Sequence, residues 1–118
     1  MEPIRDRNGR VCAWLLSGVI YSLRGEAEAF LVSDRVVNYR GHDRGTLRDG
    51  YLRNSHGEPI AWVGGATGGP ITPIPGLPPA PPDPRESPTL PVISVAPIAP
   101  IPSLIWSQED WASFIEGR

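Results

Sequence analysis

The sequence has few of the residues that mark several common classes of protein. Among 118 residues there is one cysteine, Cys12, so an internal disulfide cannot form. A lone cysteine fits a reducing compartment. Lysine is absent, and all eleven basic residues are arginine. The formal net charge is −2 with the charges interspersed, so the chain lacks the clustered basic face of a nucleic-acid-binding protein.

Long hydrophobic runs are also missing. The longest apolar stretch, Val92 to Trp106, is interrupted by Pro97, Pro100 and Pro102 and is too short and broken for a membrane-spanning helix. The first residues do not show a basic region followed by an apolar run, so no signal peptide is predicted. From these absences we expect a soluble cytoplasmic protein that is not transmembrane.

A sixteen-residue repeat fills the first half of the chain. Four glycines recur at that interval, each with an aliphatic residue five positions earlier and a small residue followed by a larger one four and five positions later. A repeat this short is one supersecondary unit that cannot bury its apolar face alone, so the four units must pack together. The glycines are Gly9, Gly25, Gly41 and Gly57, and the larger residues are Trp14, Phe30, Thr46 and Trp62.

Two turns in each repeat predict a hairpin. The first turn begins with Asp, Ser or Asn and ends with the repeat glycine, as in Asp6 to Gly9, which is typical of a type I turn. The second falls at pairs such as Ser17-Gly18 and Asp49-Gly50. The sequence therefore predicts an all-β, pseudo-fourfold antiparallel barrel of eight short strands over residues 1–66. An array of this size is near the lower limit for a stable core, so we expect another element to help close it.

Two further segments follow the repeats. Thirteen of the fifteen prolines lie between Pro70 and Pro102, so residues 67–102 are interpreted as a linker, extended where it is stiff. Its P-x-x-P arrangements, Pro75 to Pro78 and Pro79 to Pro82, could instead dock into aromatic grooves. Residues 103–118 predict a helix of about ten residues that packs on the barrel. Its expected features are Ser107 as N-cap, Trp111, Phe114 and Ile115 on the apolar side, and Gly117 at the end.

These motifs resemble the four-fold β-flower domain family of small bacterial proteins. The resemblance rests on the four repeats over residues 4–66, on Trp106-Ser107, and on the amphipathic stretch from Trp111 to Ile115. It implies a shallow, radially symmetric barrel similar in shape to the tubby-type barrel, which in other proteins encloses a hydrophobic helix and can bind phosphoinositide lipids. The resemblance supplies no catalytic residues. The third repeat departs from the pattern, with Thr46 in place of the aromatic residue and Asp43 in place of an apolar one.

Candidate contact residues come from the same alternation. A row of aromatic side chains on one strand face, together with two tail tryptophans, could line a groove for a ligand or partner, or could form the contact between barrel and helix. Arg44, Thr46 and Arg48 alternate along one strand, so regular alternation puts the two arginines on one face, where they could bind an anion. The alternative is a solvated edge in which Glu28 pairs with Arg44. The aromatic candidates are Trp14, Phe30, Trp62, Trp106 and Trp111.

No pattern indicates catalysis, a metal or a cofactor. His42, His56 and Cys12 do not supply the three or four converging ligands that a metal needs. The glycine-rich residues 64–69 lack the Lys-Ser/Thr of a phosphate-binding loop. We therefore expect a non-enzymatic binding module whose aromatic face contacts an apolar ligand, a lipid or a partner helix. The alternative is a structural or assembly protein that acts through homo-oligomerisation.

Overall fold

Eight antiparallel strands form a closed barrel in which each strand pairs with its sequence neighbours. The computed structural model describes residues 1–84, 91 and 100–116. The ring closes where the first strand pairs with the last, with Arg5 opposite Trp62 and Asp6 opposite Ala61. The predicted barrel of four hairpins is confirmed. The strands are β1 Glu2–Asp6, β2 Val11–Leu16, β3 Val19–Tyr21, β4 Ala27–Val32, β5 Arg35–Asn38, β6 Asp43–Arg48, β7 Tyr51–Arg53 and β8 Pro59–Trp62.

The first turn of each repeat has the expected geometry. In the first repeat, the Gly9 N–H donates to the Asp6 carbonyl at 3.0 Å. The Asp6 carboxylate accepts the backbone N–H groups of Asn8 and Arg10 at 2.8 and 3.1 Å. The same pair of side-chain hydrogen bonds recurs in the other three turns, accepted there by Ser22, Asn38 and Asn54.

Each repeat also contains a β-bulge that the alternation of the sequence did not predict. In the third repeat Val36 pairs with Gly45 but Val37 pairs with Asp43, which leaves Arg44 as an extra residue. A bulge interrupts the regular alternation of side chains, so the extra residue does not share a face with the residues two positions on. The corresponding bulge residues of the other repeats are Cys12, Glu28 and Ile60.

The barrel interior alternates aliphatic and small side chains. Aliphatic residues of the first strand of each repeat meet small residues of the second, as in the pair Ile4 and Ala13, and both are fully buried. Because neighbouring strand residues face opposite sides of the sheet, the larger residues that follow the small ones lie on the outside. They are nevertheless only 2–6% exposed, namely Trp14, Phe30, Thr46 and Trp62. The outside of the barrel is therefore covered as well.

Residues of the proline-rich segment lie against that outer side. We call residues 70–84 and 100–106 the belt. The belt backbone at Ile74 and at Asp83 lies beside the turn glycines of the first and second repeats, and the belt backbone at Ile101 lies beside the glycine of the fourth. The Gly76 N–H donates to the Gly9 carbonyl at 3.1 Å, and the Ser103 N–H donates to the Gly57 carbonyl at 2.9 Å. The segment that the sequence analysis interpreted as a linker thus forms backbone hydrogen bonds with the barrel.

The helix is shorter than expected and begins later. α1 spans Trp111–Glu116. Its N-cap is Asp110, whose carboxylate accepts the Ser113 N–H at 2.7 Å, because the helical backbone starts only after that residue. Ser107 is buried instead, and its hydroxyl accepts the Glu109 N–H at 3.0 Å. The expected stop at Gly117 lies outside the described residues.

Candidate functional site

The helix closes one end of the barrel, which we call the mouth. The four bulge residues Cys12, Glu28, Arg44 and Ile60 lie at this end, next to the first turns. Phe114 and Ile115 of α1 are 0% and 1% exposed and belong to the same buried cluster as the barrel interior. The helix therefore packs on the interior cluster at the mouth and not on the outer aromatic row, which was one of the two roles that the sequence analysis considered for those aromatic residues.

Two barrel side chains donate hydrogen bonds to the end of the helix. Arg44 Nε donates to the Phe114 carbonyl at 2.7 Å, and Asn38 Nδ2 donates to the Ile115 carbonyl at 3.3 Å. The last carbonyls of any helix lack partners within the helix itself. Here the barrel supplies those partners, so the mouth contacts both the apolar side chains and the polar end of α1.

The residue that begins each first turn explains why side-chain hydrogen bonds to residues 107–116 concentrate at the third and fourth repeats. The side-chain oxygen of Asn38 or Asn54 accepts hydrogen bonds within its own turn, which leaves the amide N–H₂ group free to contact residues 107–116. Asn54 Nδ2 lies 3.3 Å from the Ser107 hydroxyl. The equivalent residues of the first two repeats, Asp6 and Ser22, have no side-chain amide that could donate in the same way. The sequence predicted these four positions as turn formers and missed the second role of the asparagines.

Burial changes the ionisation of two side chains at the mouth. It raises the pKa of the Glu28 carboxyl, although the Trp111 Nε1–H, 3.5 Å from its oxygen, acts in the opposite direction. It also raises the pKa of the Cys12 thiol, and the charge of Asp6 adds to this effect. The thiol donates to the Ile4 carbonyl at 3.4 Å. A thiol held in its neutral form is a poor nucleophile.

The five aromatic candidates do not form one groove. Trp14, Phe30 and Trp62 are buried on the outer side of the barrel. Trp106 meets the ring of Tyr51 edge-on, with 6.0 Å between ring centroids. Trp111 lies at the mouth, 5.7 Å from the ring of Phe114. The structure thus divides the candidates between the belt side and the helix side.

The two candidate anion-binding arginines do not converge either. Arg44 lies at the mouth because of the bulge, whereas Arg48 forms an exposed ion pair with Asp34 at the far end of the same strand. Glu28, expected as the partner of Arg44, contacts Trp111 instead. Asp43 pairs with Arg35 at 2.6 Å.

A small cleft lies where the third repeat lacks its aromatic residue. It measures about 70 Å³ and lies between Thr46, Arg53 and the belt residues Pro100 and Pro102. Arg53 is buried, and its guanidinium donates to the carbonyls of Gly57, Ser103 and Gly68. Burial lowers its pKa. No carboxylate forms an ion pair with it among residues 1–84, 91 and 100–116, and backbone carbonyls accept its N–H groups instead.

A comparison with protein-family models matches residues 2–115 to the family described as 4-fold beta flower protein. The chain belongs to this family. The match runs from the first strand of the barrel to the penultimate residue of α1. Comparisons with curated proteins and with solved structures gave no match.

The proline-rich segment of this β-flower chain carries a period that the sequence analysis missed. Prolines recur every nine residues at two positions, and the belt contacts at Ile74 and Asp83 follow the same step. Ile74 lies beside Gly9 and Asp83 lies beside Gly25, so nine residues of the segment correspond to one sixteen-residue repeat of the barrel. The two series are Pro70, Pro79, Pro88, Pro97 and Pro73, Pro82, Pro91, Pro100. A search for periodicity in the second half of the chain would have found this signal.

The part of the chain that the structure describes holds no group of three or more His, Cys, Asp or Glu side chains that could bind a metal ion. It also contains no helix with the length and apolar character needed to cross a bilayer. A second cleft, of about 150 Å³, lies beside α1 between Asp6, Arg7 and Glu109.

Proposed function

We propose that this β-flower protein is a non-enzymatic binding module whose mouth binds a short amphipathic helix, with its own α1 in that position at rest. The observation that supports the proposal is the combined contact at the mouth. Two adjacent side chains, Phe114 and Ile115, are buried there, and two barrel donors, Arg44 and Asn38, bond the carbonyls of those same residues.

The polar contacts favour a helix over a lipid as the partner. An acyl chain could replace Phe114 and Ile115, but its hydrocarbon has no acceptor for Arg44 or for Asn38. The Asn38 side chain is fully buried, and a buried donor without a partner is costly. A partner helix that ends at the mouth would supply both parts. The six residues of α1 are too few to form a stable helix alone, so α1 depends on the mouth for its structure. A longer partner helix would not carry that cost.

The test uses the full chain with its own helix weakened. The double substitution Phe114→Ala, Ile115→Ala removes the buried side chains, and Ala112→Ser, at an exposed position of α1, is the matched control. A fluorescent peptide of residues 103–116 is titrated by fluorescence anisotropy. We expect binding to the double variant, little binding to wild type or the control, and weaker binding when Arg44→Ala is added. A folded double variant that does not bind the peptide would contradict the proposal.

Lipid vesicles provide the second arm of the same test. Binding of phosphoinositide-containing vesicles by the double variant, without binding of the peptide, would favour a lipid ligand. Unfolding of the double variant, measured by circular dichroism, would mean that α1 is simply part of the core. The cytoplasmic location expected from the sequence belongs to this proposal, and it is supported by a single cysteine that remains a free thiol.

Homo-oligomerisation is the second candidate function. The closed ring leaves no free edge among the described strands, so self-association would have to use side chains. Leu104 and Ile105 are 67% and 73% exposed next to the tail, which favours such a contact. Light scattering of wild type and of Leu104→Ser, Ile105→Ser tests it. We expect a discrete oligomer that dissociates in the variant, and a monomeric wild type would exclude assembly.

A further inference from the structure

The belt contains two aliphatic–proline pairs three residues apart. They are Ile74-Pro75 and Leu77-Pro78, with Gly76 between them. Polyproline II has three residues per turn, so side chains at this spacing lie on the same face of an extended segment. Domains with aromatic-lined grooves recognise P-x-x-P segments in this conformation.

The sequence restricts almost every backbone torsion of this segment. Each proline fixes its own φ near −65°, and a residue that precedes a proline is driven to extended conformations. Ile74 and Leu77 both precede prolines, as does Pro78. Only Gly76 is free of both restrictions.

The barrel fixes that remaining residue. The Gly76 N–H donates to the Gly9 carbonyl at 3.1 Å, and the Gly76 carbonyl accepts Arg5 Nη2 at 3.2 Å. A Cβ at Gly76 would lie 3.4 Å from the Gly9 carbonyl oxygen, an ordinary contact distance, so the two hydrogen bonds and not the missing side chain hold this residue. The segment is thus bonded to the barrel at its centre and restricted by proline on both sides.

The side chains of the two pairs face away from the barrel. Ile74 is 91% exposed and Leu77 is 99% exposed, and both Pro75 and Pro78 are exposed. The other P-x-x-P arrangement differs, because its Pro82 packs beside Gly25 of the barrel. The structure therefore distinguishes two arrangements that the sequence analysis treated alike.

We infer that Ile74–Pro78 is a preorganised docking motif for a partner protein with an aromatic-lined groove that binds polyproline II segments. The two aliphatic–proline pairs would occupy adjacent pockets of the groove. Because the prolines and the two Gly76 hydrogen bonds already restrict the backbone of this segment, binding avoids much of the ordering cost that a flexible peptide carries. The inference does not depend on the function proposed for the mouth, which involves α1, Arg44 and Asn38 and not residues 74–78.

The test titrates the full chain against a panel of purified SH3, WW and EVH1 domains and records the tryptophan fluorescence of the domains or their NMR shifts. The variant Pro75→Ala, Pro78→Ala removes the motif, and Pro81→Ala, another exposed proline of the belt, is the matched control. A synthetic peptide of residues 70–79 measures the effect of anchoring. Circular dichroism confirms that both variants stay folded.

We expect at least one domain to bind wild type and the control equally. The double variant should bind at least about tenfold more weakly, because the two proline rings no longer fill the pockets of the groove. The free peptide should bind more weakly than the full chain. Failure of every domain to bind, an equal loss in the control, or a peptide that binds as well as the chain would overturn the inference.

A lipid surface is the competing explanation for exposed aliphatic side chains. Vesicle binding that is lost in Ile74→Ser, Leu77→Ser but retained in Pro75→Ala, Pro78→Ala would also overturn the inference, because a bilayer has no requirement for proline. Loss of domain binding in both double variants, with no vesicle binding, would support it.

Discussion

Replacement of Gly9 by alanine tests whether the belt is bonded to the barrel as the structure describes. Gly9 has φ +81°, and a Cβ there would come within 2.6 Å of the Ile74 carbonyl oxygen. Gly18 is the matched control, since its φ is +78° but the nearest atom, the Leu31 carbonyl oxygen, would be 3.6 Å away. Both substitutions carry the conformational cost of a left-handed residue, and only Gly9→Ala displaces the belt.

The expected difference follows from the bonds that the belt makes at this point. The left-handed conformation costs about 1–2 kcal/mol for a residue with a Cβ, in either variant. Displacing the belt also breaks the bond from the Gly76 N–H to Gly9 and the bond from Arg5 to Gly76. At roughly 0.5–1.5 kcal/mol each, these add about 1–3 kcal/mol. We therefore expect Gly9→Ala to lose about 2–5 kcal/mol and Gly18→Ala about 1–2 kcal/mol.

Urea unfolding followed by tryptophan fluorescence provides the measurement, because Trp14 and Trp62 lie buried on the covered side. The midpoint should fall further for Gly9→Ala than for Gly18→Ala. Limited proteolysis should also cut the belt faster in Gly9→Ala alone. Equal losses of stability and equal cleavage in the two variants would refute the reasoning. They would show that both variants lose only the conformational cost of a left-handed alanine and that the belt is not displaced.

Three further predictions concern the mouth. Phe114→Ala should lower the free energy of unfolding by about 3–5 kcal/mol, as for other buried phenylalanines, whereas Ala112→Ser should change it little. Equal effects of the two substitutions in a urea titration would contradict the burial of Phe114 at the mouth. Cys12, whose thiol pKa is raised by burial, should react slowly with a disulfide reagent at pH 8 and faster in Phe114→Ala, and fast labelling of native wild type would contradict this burial. The raised pKa of Glu28 means that its protonated form favours the folded state, so this contribution is full below the usual value of 4.5 and is lost as pH rises through the raised value. Stability measured from pH 4 to 7 should therefore decline more in wild type than in Glu28→Gln, and parallel pH profiles would exclude the effect.

The barrel could be predicted because its signals are local. Each first turn places a side-chain acceptor and a glycine three residues apart, and each hydrogen bond that forms the turn joins residues within four positions of one another. Such contacts form from neighbouring residues whatever the rest of the chain does. The repeat then required four equivalent hairpins, and closure followed because none of them can bury its apolar face alone.

The candidate site was harder to predict, since one bulge residue changes which side chains meet. Regular alternation placed Arg44 with Thr46 and Arg48, but the pairing of Val37 with Asp43 sets Arg44 apart and directs it to the helix. Nothing in a single strand shows whether its neighbour will pair evenly or skip a residue. The aromatic row is buried, and the proline-rich segment that lies against the outside of the barrel was not foreseen as its cover.

The sequence by itself determined the number of strands, their turns and the antiparallel order of the barrel, because these depend on torsions and spacings within sixteen residues. Only the tertiary structure decided where the proline-rich segment and the helix lie. Their contacts join residues far apart in the chain, such as Arg5 with Gly76 and Arg44 with Phe114. Helix propensity and proline content describe the conformation of each segment, but the surface on which it packs exists only once the four hairpins have closed.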